Sequence, residues 1–339
     1  MDYKQTEHSL LAFYGFPFEQ AMIAKAYPIC LGLFERFRCT PHLMAGKNGV
    51  RNFKAMERAL KAGGFSGLKS LEMYSLLEGA KNQLEGCNLE VFLSPQHSIS
   101  FVSFNSSMLP FGSAPFLDLA AQLIDLLTPS YGIGFAQIHA VGPTYFAMGL
   151  GYGNAPREHK DLTRSWGVFI EHQLFLSGFL GGVFPWNLLT KAQLQIVVDG
   201  FPLQVWISQE SDRGKLRPMP KNMVLWTVAN EHLAGVRQAL YEAGVVFDYE
   251  RDVVAKMNEY RRSHQDVIEH LRSGRPLTQG PELPPLKPGG LLGKVLHAFG
   301  YESAEDAQVL KVEKPGKANE LSTPEVAKSL RKAKRSKGK

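Results

Sequence analysis

Residues 89–104 confine the fold more than any other stretch. Leu89-Glu90-Val91-Phe92-Leu93 and Ile99-Ser100-Phe101-Val102-Ser103-Phe104 are rich in strand-forming residues, and a turn at Ser94-Pro95-Gln96-His97 separates them. Strands joined by so short a break pair antiparallel, because a parallel pair needs a crossover of a dozen or more residues. The second run alternates with period two, which predicts a hairpin with one buried face and one wet face.

The surrounding chain mixes helical and extended patterns. Leu10 to Phe16 reads as a short strand stopped by Pro17. Phe18 to Phe37 has Ile23, Tyr27, Leu31 and Phe34 at helical spacing, with Pro28 favouring a kink. Gly46-Lys47-Asn48-Gly49 is turn chemistry before a helix over Arg51 to Ala62, ended by Gly63-Gly64. Ala114 to Leu127 is an apolar helix with Asp118 and Asp125 on its polar side, closed by Pro129, and Tyr131 to Ile138 follows as a strand. Later, Gly182 to Trp186 leads into a predicted helix over Thr190 to Val198. Met223 to Val228 reads as a strand, and Asn230 caps a helix through Ala243 with Gly244 as its stop. Val245 to Phe247 returns as a short strand. The fold class is α+β, an antiparallel or mixed sheet covered by helices. The order also admits two related ferredoxin-like halves, 1–140 and 141–250, within a body spanning 1–250.

Beyond the body the composition changes. Residues 251–273 form a charged helical stretch expected to pack along Val253, Met257 and Tyr260, and 274–290 is a Pro- and Gly-rich linker. Residues 291–310 suit a short helical appendage, and 311–339 a basic, disordered tail. That tail has ten basic and three acidic residues, so the whole-chain charge of +6 resides there, and the remainder carries 28 basic against 29 acidic residues. A folded nucleic-acid reader carries its basic patch on the fold. Binding to nucleic acid or another acidic surface is therefore confined to the tail, through Lys328, Arg331, Lys332, Lys334, Arg335 and Lys337.

Aromatics at 11% exclude a wholly disordered chain of these 339 residues. No apolar run approaches the roughly 20 residues of a membrane-spanning helix, and the first residues lack the pattern of a secretory signal. Three cysteines, Cys30, Cys39 and Cys87, are odd in number and widely spaced, which favours a reducing compartment. The expectation is a cytoplasmic protein.

Catalytic and cofactor motifs are sparse. There is no His-Glu-x-x-His, no Cys-x-x-Cys, no Gly-x-Ser-x-Gly and no phosphate loop. Cys30, Cys39 and His42 do not supply the four ligands of a structural zinc site, and Cys30 suits the apolar face of a helix. Gly149-Leu150-Gly151-Tyr152-Gly153-Asn154 lacks the third glycine of a dinucleotide fingerprint and reads as a loop. Glu158-His159 and Glu171-His172 are sequence neighbours, which cannot face one point on a helix. No metal, no cofactor and no catalytic residue is assigned.

The most distinctive stretch is Gly178 to Thr190, with paired glycines at 181 and 182 and Phe184-Pro185-Trp186-Asn187-Leu188-Leu189-Thr190. Downstream come Trp206, Asp212-Arg213-Gly214-Lys215-Leu216, Leu225-Trp226-Thr227-Val228, and Val236-Arg237-Gln238-Ala239-Leu240 ending in Ala243-Gly244. Over about 178–248 this pattern resembles bacterial proteins of unassigned activity. The strand, strand, helix, strand order resembles the immunity proteins of bacterial toxin systems, including the type VI immunity family. That resemblance implies a non-enzymatic protein–protein interaction module that neutralises a toxin by steric occlusion. Trp186, Asn187 and Trp206 are the expected partner contacts, since tryptophan is favoured at interface hot spots. Trp186, Trp206 and Trp226 also suit a core. Two alternatives stand beside this reading: an enzyme with a cleft lined by His139, His159 and His172, and a protein tethered through its basic tail.

Overall fold

The computed structural model describes residues 5–252, apart from residues 18, 20, 47–48, 66–67, 82–85, 151–156, 178 and 250, and along 157–162 it describes the backbone. At its centre lies β1 (Glu7–Tyr14), buried at every position after Glu7. Successive side chains on a strand point to opposite faces. Leu10, Ala12 and Tyr14 accordingly enter one apolar cluster, while Leu11 and Phe13 enter another. A strand buried on both faces needs a covering layer on each side.

The cluster around Leu11 and Phe13 forms the first layer. α1 (Met22–Arg36) turns Met22, Ile23, Ala26, Cys30, Leu33 and Phe34 inward at helical spacing, and Pro28 lies within it. β2 (Leu43–Gly46) and β3 (Gly49–Asn52) make a hairpin, and the Asn52 side chain accepts the Lys54 N–H at 3.1 Å to cap α2 (Phe53–Gly63). β4 (Leu71–Leu76), β5 (Cys87–Ser94) and β6 (Ile99–Asn105) follow, and α3 (Ala114–Leu127) adds Phe116, Leu119, Leu123 and Ile124 to the same cluster.

The opposite layer comes from the second part of the chain. β7 (Tyr131–Ile138) returns beside β1, and α4 (Pro143–Ala147) and α5 (Arg157–Glu171) bring Phe146, Trp166 and Phe169 against Leu10 and Tyr14. After them come β8 (Trp186–Thr190), β9 (Val197–Val198), β10 (Phe201–Pro202), α6 (Leu203–Gln209), β11 (Lys215–Pro218), β12 (Met223–Thr227) and α7 (Leu233–Glu242). Ten strands form one sheet in the order β11-β12-β8-β7-β1-β6-β5-β4-β2-β3, with every neighbouring pair antiparallel. β9 and β10 make a separate two-stranded ribbon. The fold is mixed α+β around a large antiparallel sheet. Residues 1–140 supply seven of its strands and 141–250 supply three, joined through the β7–β8 pairing.

Several local expectations change in this context. The hairpin at β5 and β6 has no wet face on β6, where Ser100 and Ser103 are buried with Phe101, Val102 and Phe104. Their hydroxyls are paired instead of hydrated: Ser100 Oγ donates to the Phe92 carbonyl at 2.9 Å, and Ser103 Oγ meets His8 Nδ1 at 3.0 Å. Period two marked the pleat correctly but not the solvent. The predicted helix over Thr190 to Val198 is one 3-10 turn between strands. Thr190 still caps it, because Thr190 Oγ1 accepts the Gln193 N–H at 3.3 Å and Gln193 Oε1 accepts the Thr190 N–H at 2.8 Å. α7 begins at Leu233, three residues after Asn230, and Val246 makes a single parallel bridge to Leu180. The expected helix over 251–273 lies outside the described residues after Asp252, as do the linker, the appendage and the tail.

Candidate interaction surface

The segment between β10 and β12 is organised by one arginine. Arg213 lies over the Trp206 ring with its guanidinium carbon 4.0 Å from the centroid. Its Nη1 donates to the Trp206 carbonyl at 2.9 Å and its Nη2 to Glu210 at 2.6 Å. Trp226 Nε1 donates to the Arg213 carbonyl at 2.8 Å, so both faces of the turn are tied to buried indoles. Gly214, with φ of 101°, is required by this approach: a Cβ there would overlap the Thr227 carbonyl oxygen. The Asp212-Arg213-Gly214 run is thus a brace between α6 and the sheet edge.

That brace carries an apolar projection. Asp199 and Gly200 have φ of 50° and 85°, the two positive values of a type I′ turn, which closes the tight β9–β10 ribbon. Val198, Leu203, Trp206 and Ile207 are buried beneath the ribbon and α6, and the Leu203 N–H donates to the Ile196 carbonyl at 2.7 Å. In the same segment Val197 is 63%, Phe201 46% and Val205 41% exposed. Three of the seven exposed large hydrophobic side chains among the described residues fall within these nine consecutive positions.

The residues expected to touch a partner are buried, and Trp186 belongs to the cluster on the other face of the sheet. Trp186 is 6% exposed, with its ring 5.2 Å from both Phe111 and Phe116. Gly132 and Gly134 of β7 leave the room that Leu188 and Trp186 occupy. Asn187 is fully buried: its Oδ1 accepts the Phe184 N–H at 3.0 Å, and its Nδ2 donates to the Phe184 and Trp226 carbonyls. Trp206 is 2% exposed under Arg213. Buried residues of this kind hold a surface in place and do not offer their own atoms to it. The exposure of Val197, Phe201 and Val205 has no signal in residue type alone; the Asp199-Gly200 pair marks only the turn between the two strands.

Other polar concentrations are different in kind. His8, Ser103 and Glu90 lie on adjacent strands β1, β6 and β5, with Ser103 paired across from Glu90. Burial, then the charge of His139 whose ring is 5.0 Å away, holds the His8 pKa down to about 3. Burial, then the charge of Glu72, pushes Glu90 up to about 8. His8 and Ser103 are at most 1% exposed, so no substrate reaches the pair. The cleft expected from His139 and His172 is not formed by them. His139 follows the C-terminal end of β7, whereas His172 leads into the turn whose Phe175 stacks on Tyr131 at the other end of that strand. The His159 side chain and the six tail residues from Lys328 to Lys337 lie outside the described residues.

A separate open cleft of about 600 Å³ is lined by Arg38, Cys39, His42, Glu78, Asn88 and Met108, with other neighbours. His42 Nδ1 accepts the Leu76 N–H at 2.9 Å there, and Cys39 Sγ is 3.9 Å from Met108 Sδ. Among the described residues no group of three or more His, Cys, Asp or Glu could hold a metal ion, and no helix is long and apolar enough to cross a membrane.

No protein-family model matches the chain, and no curated protein matches it. Among solved structures, a T6SS protein of Pseudomonas aeruginosa is similar with a TM-score of 0.42 and 11% identity, covering 71% of this chain and 73% of that one.

Proposed function

We propose that this chain is a non-enzymatic protein-interaction module that docks a protein partner on the β9–β10 ribbon and α6, and that it works as an immunity-like protein by steric occlusion. The observation that supports this reading is the exposure of Val197, Phe201 and Val205 within one short ribbon-and-helix segment whose Val198, Leu203, Trp206 and Ile207 are buried. A pre-ordered apolar projection loses little conformational freedom on binding, which leaves more of its burial as affinity. Trp206, Arg213 and Trp226 serve this surface as its support, and Asn187 ties β8 to the Trp226 carbonyl.

The test compares capture of protein partners from the native host by the wild type, by the double variant Val197→Asp/Phe201→Asp, and by a chain lacking residues 312–339. Both substituted side chains are well exposed, so the variant keeps its fold, checked by thermal melting. A stoichiometric partner held by the wild type and the tail-less chain, and lost by the double variant, is the expected result. Retention by the double variant would refute this docking site, and capture lost only on tail deletion would transfer the function to the basic tail.

A further inference from the structure

Three arginines in the 210–251 region are partly buried, and two have acids beside them. Arg213 pairs with Glu210 at 2.6 Å, and Arg251 with Asp252 at 2.7 Å. Arg237, on α7, has no such partner. Its Nη2 donates to the Val183 carbonyl at 2.7 Å, its Nε is buried without an acceptor, and no carboxylate pairs with it among the described residues. Burial alone lowers its pKa, with no neighbouring acid to oppose that effect. Removing a guanidinium from water without a counter-charge costs stability. Folding alone would be served better by an apolar side chain of similar length here.

We propose that Arg237 is an anchor for a carboxylate of the protein partner, an aspartate or glutamate side chain that supplies a counter-charge absent among the described residues. The inference rests on the protein-docking reading and adds the partner's chemistry to it. Val183 is the fixed end of the arrangement. Its carbonyl holds Nη2 while Nε is shut off from solvent, which leaves the Nη1 N–H groups for a charged acceptor. Arginine is the residue type most suited to this role, since its planar donors match a carboxylate and it is enriched at hot spots.

The experiment uses hexaglutamate, with hexaglutamine as its neutral counterpart, titrated at fixed ionic strength by calorimetry into the full chain and into the chain lacking residues 312–339. The comparison of variants is read in the latter, where the basic tail does not itself bind the acidic probe. The variants are Arg237→Met, Arg237→Lys and Lys191→Met; the last removes the same charge from an exposed site. The wild type and Lys191→Met should bind hexaglutamate about tenfold more tightly than Arg237→Met, with Arg237→Lys between them. Hexaglutamine should not distinguish the four proteins. Equal binding by Arg237→Met and Lys191→Met, or no preference of the wild type for hexaglutamate, would overturn the assignment. The Val197→Asp/Phe201→Asp variant separates the two ideas. Preserved hexaglutamate binding with lost partner capture supports both, whereas unchanged partner capture refutes the ribbon site and leaves the Arg237 result to stand by itself.

Discussion

His8 makes the stability of this protein sensitive to mild acid. Its pKa is held down to about 3, against 6.5 for an unburied histidine, by burial and then by His139. In the folded state the ring is neutral, with Nδ1 against Ser103 at 3.0 Å and 1% exposure, so water cannot solvate a charge there. The unfolded chain takes up its proton near pH 6.5 and the folded chain does so only near pH 3, so the site's stability is present above 6.5 and lost as pH falls toward 3. For these two values the loss is about 2 kcal/mol between pH 7 and pH 5, and about 3 kcal/mol by pH 4. The perturbation is His8→Asn, which cannot titrate and can still meet Ser103. Urea unfolding of both proteins at half-unit steps from pH 7.5 to 4 gives the difference in stability at each pH, and groups common to both cancel. The wild type should lose about 2 kcal/mol relative to His8→Asn between pH 7 and pH 5. A difference that stays flat over that range would show that His8 protonates freely in the folded state, and would refute the buried-neutral assignment.

Other residues give further expectations. Trp186→Ala should cost about 3–5 kcal/mol by urea unfolding, because the ring is packed among Phe111 and Phe116; a cost below 1 kcal/mol would mean the ring is not core. Gly214→Ala should lower stability by about 2 kcal/mol or more, since both its φ of 101° and the nearby Thr227 carbonyl oppose a Cβ; an unchanged unfolding midpoint would refute the close approach. Glu90 has its pKa raised to about 8, so its folded-state protonation costs stability as pH rises from about 4.5 through 8. Glu90→Gln should therefore be more stable than the wild type at pH 8.5 and equal to it near pH 4. Parallel pH profiles for the two would contradict this.

The β5–β6 hairpin, α1, α3, β7 and β12 were legible because each carries its own period, cap or stop within a dozen or so residues. The hairpin at β2 and β3 and the strands β4 and β11 were not. Leu71–Leu76 and Lys215–Pro218 are short, and only their neighbours in the sheet make them strands. The stretch over Thr190 to Val198 carries a helix-start signal at Thr190, but β7 and β12 on either side of β8 hold the chain extended up to that residue.

Local sequence determined the mixed α+β class, the turn at Asp199-Gly200, the capping by Thr190, and the concentration of positive charge beyond residue 310, since each depends on neighbours along the chain. Tertiary structure alone decided which side chains meet water. Trp186, Asn187 and Trp206 are contact candidates by residue type but are buried once two helical layers close over the sheet, while Val197, Phe201 and Val205 stay exposed. His8 meets Ser103 across 95 residues, and Arg237 has no acid beside it among the described residues. Burial and charge pairing are properties of groups far apart in sequence, so no local pattern specifies them.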